Sequence, residues 1–388
     1  MSSLTFHWFL PTSGDSRDVV GGGHGAPDTA TGPGRRRPPT VAYLGQIARA
    51  AENLGFAGAL TPTGAWCEDA WLATAMVSQA TERLKFLVAF RPGFVSPTLA
   101  AQMASTFQRQ TGGRLLLNVV TGGESREQRA YGDFLDKDAR YRRTGEFLHV
   151  VRELWQGGTV NLRGEHLQVE DARLTRVPDP VPEVYFGGSS PAAVEVAARH
   201  ADVYLTWGEP PAQVAGKIAR LREAAAREGR TLRFGIRLHV ITRDTAADAW
   251  AEAHRLLDGF DPDTVREAQA NLARSESEGQ RRMLALHGGS RDALEIHPNL
   301  WAGIGLVRGG AGTALVGGHD EVAERIAEYH ALGIDEFVLS GYPHLEEAYW
   351  FGEGVLPRLA ARGLWRHPEH AGAGAGAGAE ERVLPVAV

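Results

Sequence analysis

The sequence predicts an α/β protein of (β/α)8 type, a barrel of eight parallel strands with a helix after each and a long insertion between strands seven and eight. Three observations predict it. Short, almost continuously apolar runs alternate with helix-periodic segments, as a parallel sheet covered on both faces requires. Eight such units follow one another along the chain. Polar residues then gather at the C-terminal ends of the runs, where a barrel of this kind carries its site: Thr61-Pro62-Thr63, Arg91, Asn118 and Thr121, Gly187 to Ser190, Trp207, His239, and Ser340 to Tyr342.

The elements follow in order. Residues 4 to 10 read as the first strand, and 40 to 54 as a helix with Thr40 as N-cap and Gly55 as its stop. The next pairs are strand 58 to 63 with helix 68 to 80, strand 85 to 90 with helix 97 to 110, and strand 115 to 121 with helix 141 to 155. A hairpin excursion over 159 to 170 precedes strand 184 to 186 and a helix beginning near Pro191. Strand 202 to 207 feeds a helix from Pro211, strand 233 to 241 feeds helix 245 to 257, and strand 336 to 339 feeds helix 344 to 360.

The seventh strand is unusual. Phe234, Ile236, Leu238 and Val240 share one face, while Gly235, Arg237 and His239 share the other. In a closed barrel the second face looks inward, where a guanidinium needs either an acidic partner or an anion to receive. On this strand alone, an edge strand with one wet face explains the pattern equally well.

Two stretches fall outside the eightfold pattern. Residues 13 to 39, rich in Gly, Pro and Arg, read as a flexible loop; residues 258 to 318 are too long for an ordinary connection. The latter holds a polar helix-like part over 263 to 284 and Arg308 between glycines, which suits a lid with hinges, or else a surface excursion that only packs. The domain is expected to span 1 to 363, with 364 to 388 a disordered tail that contains an Ala-Gly repeat.

Composition excludes several classes. A net charge of -6 gives no support for a nucleic-acid or membrane-surface partner, and one cysteine, Cys67, rules out an internal disulfide. No apolar run reaches membrane-spanning length and no signal peptide is legible, so a cytoplasmic protein is expected. Acidic residues are not clustered at the strand ends, against a carboxylate metal site or a glycosidase pair. Cys67 reads more simply as a small buried hydrophobe than as a nucleophile.

What remains at the mouth is a phosphate-type cradle and a cationic group. Gly187-Gly188-Ser189-Ser190-Pro191 joins a strand end to a helix start, offering hydroxyls and free helix N–H groups, although the serines could equally be plain caps. Asn118 and Thr121 can pair with a cofactor edge or with loop backbone. With Arg237, His239, Arg308 and Tyr342, the set suits one phosphorylated cofactor and one anionic substrate.

The residues also resemble a known family. Trp8-Phe9-Leu10-Pro11-Thr12, Pro62-Thr63-Gly64 with Cys67 to Trp71, Asn118 to Gly122, Tyr185 to Ser190, Leu205 to Pro211, Phe234 to Val240, Asn299 to Val316 and Val338 to Tyr349 are similar to the FMN-dependent alkanesulfonate monooxygenases of the bacterial-luciferase-like flavin family. The likeness covers nearly all of residues 4 to 357; the loop 13 to 39 and the tail depart from it. It implies a TIM barrel that uses reduced FMN and O2 to release sulfite and an aldehyde from an alkanesulfonate. It further implies a separate NAD(P)H-dependent FMN reductase and a homotetramer. Carried over by position, Arg237, His239, Arg308 and Tyr342 look like the sulfonate and oxygen-handling groups, Trp207 shapes the pocket and Cys67 lies near the flavin. Ser189 and Ser190, with Tyr141 and the Gly188 backbone, would take the FMN phosphate. A related barrel oxidoreductase using a deazaflavin and a non-catalytic sulfonate-binding protein stay open as alternatives.

Overall fold

A computed structural model describes residues 3–19 and 36–371. Its centre is a closed ring of eight parallel strands: β1 (Thr5–Phe9), β2 (Gly58–Thr61), β3 (Lys85–Phe90), β4 (Leu115–Val119), β5 (Glu183–Phe186), β6 (Val203–Trp207), β7 (Arg233–Arg243) and β8 (Glu336–Ser340). Each strand pairs with the next in sequence, and β8 pairs with β1 to close the ring, so the expected (β/α)8 barrel is the fold.

Side-chain alternation separates two cores. Phe6, Trp8, Phe234, Ile236, Leu238 and Val240 point outward into the large apolar layer under the helices. Phe9, Leu60, Leu87, Leu116, Leu205 and Val338 fill the barrel interior. Below that plug Glu336 is buried, accepting from the Tyr185 hydroxyl at 2.7 Å and facing His7 Nε2 at 3.1 Å, so the N-terminal end is closed by a polar cluster. The open end is the C-terminal one. There the helices begin at local signals: Ser96 and Ser190 accept from the third backbone N–H beyond them, each followed by a proline in the first turn.

β7 is long for a reason. Its first part pairs with β8, with Arg237 opposite Val338 and His239 opposite Ser340; its last part, His239 to Arg243, pairs with an inserted strand, Ala314–Gly318. The helix Ala246–Asp258 packs beside that extension through Ala249, Ala253 and Leu256, in an apolar cluster of its own. The helix that covers the barrel between β7 and β8 is His319–Ala331, with Val322, Ala323, Ile326 and Tyr329 in the main core. The sequence reading gives that place to 245 to 257 and leaves 319 to 331 unassigned, which the structure corrects.

The insertion is more structured than expected. The single polar helix over 263 to 284 is two, Pro262–Leu272 and Glu278–His287, because Ser277 starts the second by accepting from Gln280 N. Asp15–Ser16 pairs with Arg36–Arg37, so the base of the 13 to 39 loop is held in place; residues 20–35 lie outside the described residues. At the other terminus, Leu4 N donates to Leu364 O at 2.8 Å and Trp365 is buried, so residues just past 363 pack against the barrel's N-terminal end. Residues 372–388 of the expected tail lie outside the described residues. Among those described, no helix is long and apolar enough to cross a membrane.

Candidate active site

A cavity of about 250 Å³ opens at the C-terminal ends of the strands. Its floor comes from Phe9, Leu60 and Ala89, and its walls include Asn118, Thr121 and Trp207. The roof comes from the insertion: Ser277 to Gln280 and Arg308 to Ala311 line it. Trp207 packs so closely under this roof that a Cβ on Gly279 would lie 3.0 Å from the indole.

One end is a cradle. Tyr141, Gly188, Ser189 and Ser190 line the cavity together, where β5 runs into the helix Pro191–His200. Gly188 has φ +145°, and a Cβ there would meet the Tyr141 hydroxyl at 2.9 Å and Ala193 Cβ at 2.8 Å, so the backbone needs glycine to lie open. The loop is fixed from behind, since the Tyr204 hydroxyl donates to Gly188 O at 2.7 Å and Arg220 donates to Ser189 O. Ser190 Oγ is the N-cap, 3.3 Å from Ala193 N. Burial pushes the Tyr141 phenol up, opposed by its hydrogen bonds with Thr121 and Ser190, so it is a donor at neutral pH. Lys217 also lines the cavity; Glu209 at 2.7 Å and Thr206 Oγ1 at 3.1 Å hold its ammonium.

The other end is cationic. Arg237 and Arg308 both line the cavity and are each 7% exposed, their guanidinium carbons 4.9 and 5.7 Å from the centre of the Phe9 ring. Arg237 Nη2 donates to Ser340 Oγ at 2.7 Å, and its other bonds go to the Leu238 and Val338 carbonyls. Among the described residues neither arginine is ion-paired with a carboxylate, and Arg308 Nε is buried without a partner. Burial first, and the Arg308 charge second, push Arg237 down to about 9. Two desolvated like charges on one aromatic ring are electrostatically suited to a negative group.

His239 and Tyr342 stand behind this pair rather than on the cavity wall. Their rings stack at 5.6 Å and 17°. His239 Nε2 lies 3.1 Å from Ala311 O and Nδ1 lies 2.9 Å from Ser340 Oγ. Burial, then Arg237 and Arg308, hold its imidazole well below the ordinary histidine value, so it is neutral. Tyr342, pushed up by burial, stays a phenol and meets the His344 ring edge-on at 5.1 Å.

Cys67 lies off the cavity. Its sulfur is 3.5 Å from Gly64 O and 3.8 Å from Pro62 O, and burial pushes the thiol up to about 11, so it carries no thiolate at neutral pH. Its loop neighbours Pro62, Thr63 and Trp66 do line the wall.

Sequence reasoning missed four residues here. Phe9 takes the last inward position of β1, and the alternation that singles out Arg237 could have found it. Ser340 shows only as a polar strand end. His344 and Asp15 leave no sequence signal as a pair: Asp15 is fully buried and accepts from His344 Nδ1 and N, both at 2.9 Å, and from the Tyr43 hydroxyl at 2.6 Å.

The chain shares its fold with proteins of known structure. It is similar in fold to a riboflavin lyase (RcaE) solved with modified FMN and riboflavin, at 20% identity and TM-score 0.79 over 94% of this chain and 93% of that one. An EDTA monooxygenase (EmoA) from Chelativorans sp. BNC1 matches at 19% identity and TM-score 0.75, over 94% and 95% of the two chains. An F420-dependent secondary alcohol dehydrogenase, solved with an F420-acetone adduct, matches at 18% identity and TM-score 0.65, over 92% and 99%. At these identities the likeness speaks for the fold. The family model described as luciferase-like monooxygenase matches residues 4–336, most of the barrel, and the chain therefore belongs to the luciferase-like monooxygenase family.

Proposed function

We propose that the protein desulfonates alkanesulfonates with reduced FMN and O2, giving an aldehyde, sulfite, oxidised FMN and water. The observation that carries this reading is the pair of buried guanidiniums, Arg237 and Arg308, facing a cavity whose opposite end is a phosphate-type cradle. FMN fits the cradle: Ser189, Ser190, Tyr141 and the helix N-terminus supply donors, and Gly188 leaves the backbone accessible. When bound, reduced FMN supplies the electrons that activate dioxygen. The protein's own groups do the rest. Arg237 and Arg308 hold sulfonate oxygens through charge-assisted hydrogen bonds, and Phe9 and Trp207 keep water from the apolar wall. The Tyr342 phenol is a proton donor beside Arg308, whereas His239, engaged at both nitrogens, holds its neighbours rather than moving a proton.

On the same reading the insertion closes over the substrate, bringing Arg308 with it, and protease cleavage within 258 to 318 should slow when ligand is bound. A separate flavin reductase supplies the cofactor, and the chain works as a homotetramer, which sedimentation would test. The deciding experiment is sulfite release from a panel of alkanesulfonates with reduced FMN and oxygen. Sulfite formed in step with aldehyde supports the proposal. No sulfite from any member, with turnover on a reduced deazaflavin instead, overturns it.

A further inference from the structure

Arg237 comes from the barrel and Arg308 from the insertion, so something has to hold the two cations at the separation one anion can bridge. We propose that Ser340 is the positioning residue that couples them, through His239, to the loop that carries Arg308. This rests on the anion-site reading above.

Donors and acceptors fix the direction of each hydrogen bond. Ala311 O can only accept, so His239 Nε2, 3.1 Å away, carries a proton. The ring is neutral, hence Nδ1 is bare and takes the Ser340 hydroxyl proton at 2.9 Å. Ser340 Oγ, its proton committed, accepts from Arg237 Nη2 at 2.7 Å. The chain therefore runs one way, from Arg237 through Ser340 and His239 to the carbonyl at Ala311, three residues from Arg308. A hydroxyl is the small group able to accept from a guanidinium and donate to an imidazole at once. Strand register brings it there, since Ser340 lies opposite His239 on β7.

The tether matters because the other backbone hydrogen bonds described for residues 308–311 stay within the insertion: Arg308 N to Ile304 O at 3.1 Å and Gly310 N to Gln280 Oε1 at 2.9 Å. Among the backbone hydrogen bonds described for 308–311, the imidazole bond is the one that reaches a barrel strand. Two residues on, Thr313 O accepts from His239 N at 2.9 Å and Thr313 Oγ1 donates to Gly208 O at 2.6 Å, so His239 grips this stretch at two points against the repulsion between the arginines. Charged and titratable groups face His239 from each side, namely Arg237, Arg308, Tyr342 and His344. Ser340 is fully buried and does not line the cavity, so it acts through its partners.

The test is a double-mutant cycle on sulfate binding to the flavin-free full chain, using Ser340→Ala, Arg308→Ala and both together. Ser340→Ala is expected to weaken sulfate about tenfold, yet to have an effect at least about threefold smaller once Arg308 is gone, a coupling typical of residues in one network. Ser340→Thr, which keeps the hydroxyl, should restore most of the affinity. Nitrogen-15 spectra at neutral pH should show His239 with Nε2 protonated and Nδ1 bare, and Ser340→Ala, which removes the donor to Nδ1, should shift the Nδ1 resonance while Nε2 stays protonated toward Ala311 O. Additive single effects, or a protonated Nδ1 in the wild-type protein, overturn the proposal. If wild-type protein binds no sulfate, the anion-site reading itself fails, and the nitrogen spectra still decide the role of Ser340.

Discussion

Replacing Arg237 by methionine should raise stability while removing the capacity to hold an anion. Methionine preserves most of the buried volume and removes the charge. Burial and the neighbouring Arg308 bring Arg237 down from 12.5 to about 9, which at neutral pH corresponds to roughly 5 kcal/mol of destabilisation carried by the charged form. Against it stand the bond to Ser340 at 2.7 Å, the weaker carbonyl bonds and the contact with the Phe9 ring. These are together worth about 3 to 4 kcal/mol. The balance is a gain of about 1 to 2 kcal/mol, or roughly 1 to 3 °C in melting midpoint for a chain of this size. Activity moves the other way. Loss of a charge-assisted bond of about 1.5 to 3 kcal/mol lowers kcat/KM roughly ten- to a hundredfold, with Arg237→Lys recovering part because it keeps the charge and loses the fork. Differential scanning calorimetry and sulfite assays on the same preparations read both quantities. A midpoint several degrees lower would mean that the guanidinium has a structural anionic partner, and unchanged sulfite release would mean that the pair does not receive the substrate.

Three further outcomes are expected. Gly188→Ala forces a Cβ against Tyr141 and Ala193 at a backbone angle alanine rarely adopts; equilibrium dialysis should show reduced FMN bound at least about tenfold more weakly, consistent with about 1 to 3 kcal/mol of strain. Acid should destabilise the fold from about pH 6.5 downward, because His200, His239, His287 and His319 are held below the ordinary value, chiefly by burial. The unfolded chain then binds more protons than the folded one, so this stability is present above pH 6.5 and is lost as the pH falls through the folded-state values. His287, 7% exposed and lowered to about 4, contributes about 2 kcal/mol of that loss at pH 5. Glu347, raised to about 7 by burial, acts the other way over the same window, so the measurement is the drop in midpoint from pH 7 to pH 5 in the wild type against His287→Gln, and equal drops would contradict it. Arg282→Met should free the helix Glu278–His287, whose arginine grips the buried Glu209, and leave Glu209 paired with Lys217 at 2.7 Å. Limited proteolysis should cut this helix sooner, with global stability lower by only about 1 to 3 kcal/mol.

The sequence carried the barrel because its rules are local. A period of two put Gly235, Arg237 and His239 on one face, and a serine followed by proline marked a helix start whether or not the strands closed into a ring. The same rules located both ends of the cavity. They stopped short at the insertion, where a count of eight helices was satisfied by 245 to 257 and the true covering helix, His319–Ala331, lay beyond the assumed boundary. Its apolar spacing was legible; nothing local said which of two amphipathic helices would meet the barrel.

Contacts between distant residues were the part that could not be read. Asp15 and His344 are 329 positions apart, and their pairing follows from β8 closing against β1. Ser340 meets His239 only because β7 and β8 pair in one register; a slip of one residue would turn the serine outward and break the chain to Ala311. The two arginines show the same division. Each is visible alone as a basic residue at a site-bearing position, but their mutual repulsion exists only once β7 carries both Arg237 inward and, through its extension, the strand Ala314–Gly318 that returns the tip of the insertion over the barrel. A substitution that loosens the extension should therefore separate the arginines and lower anion affinity without touching either guanidinium.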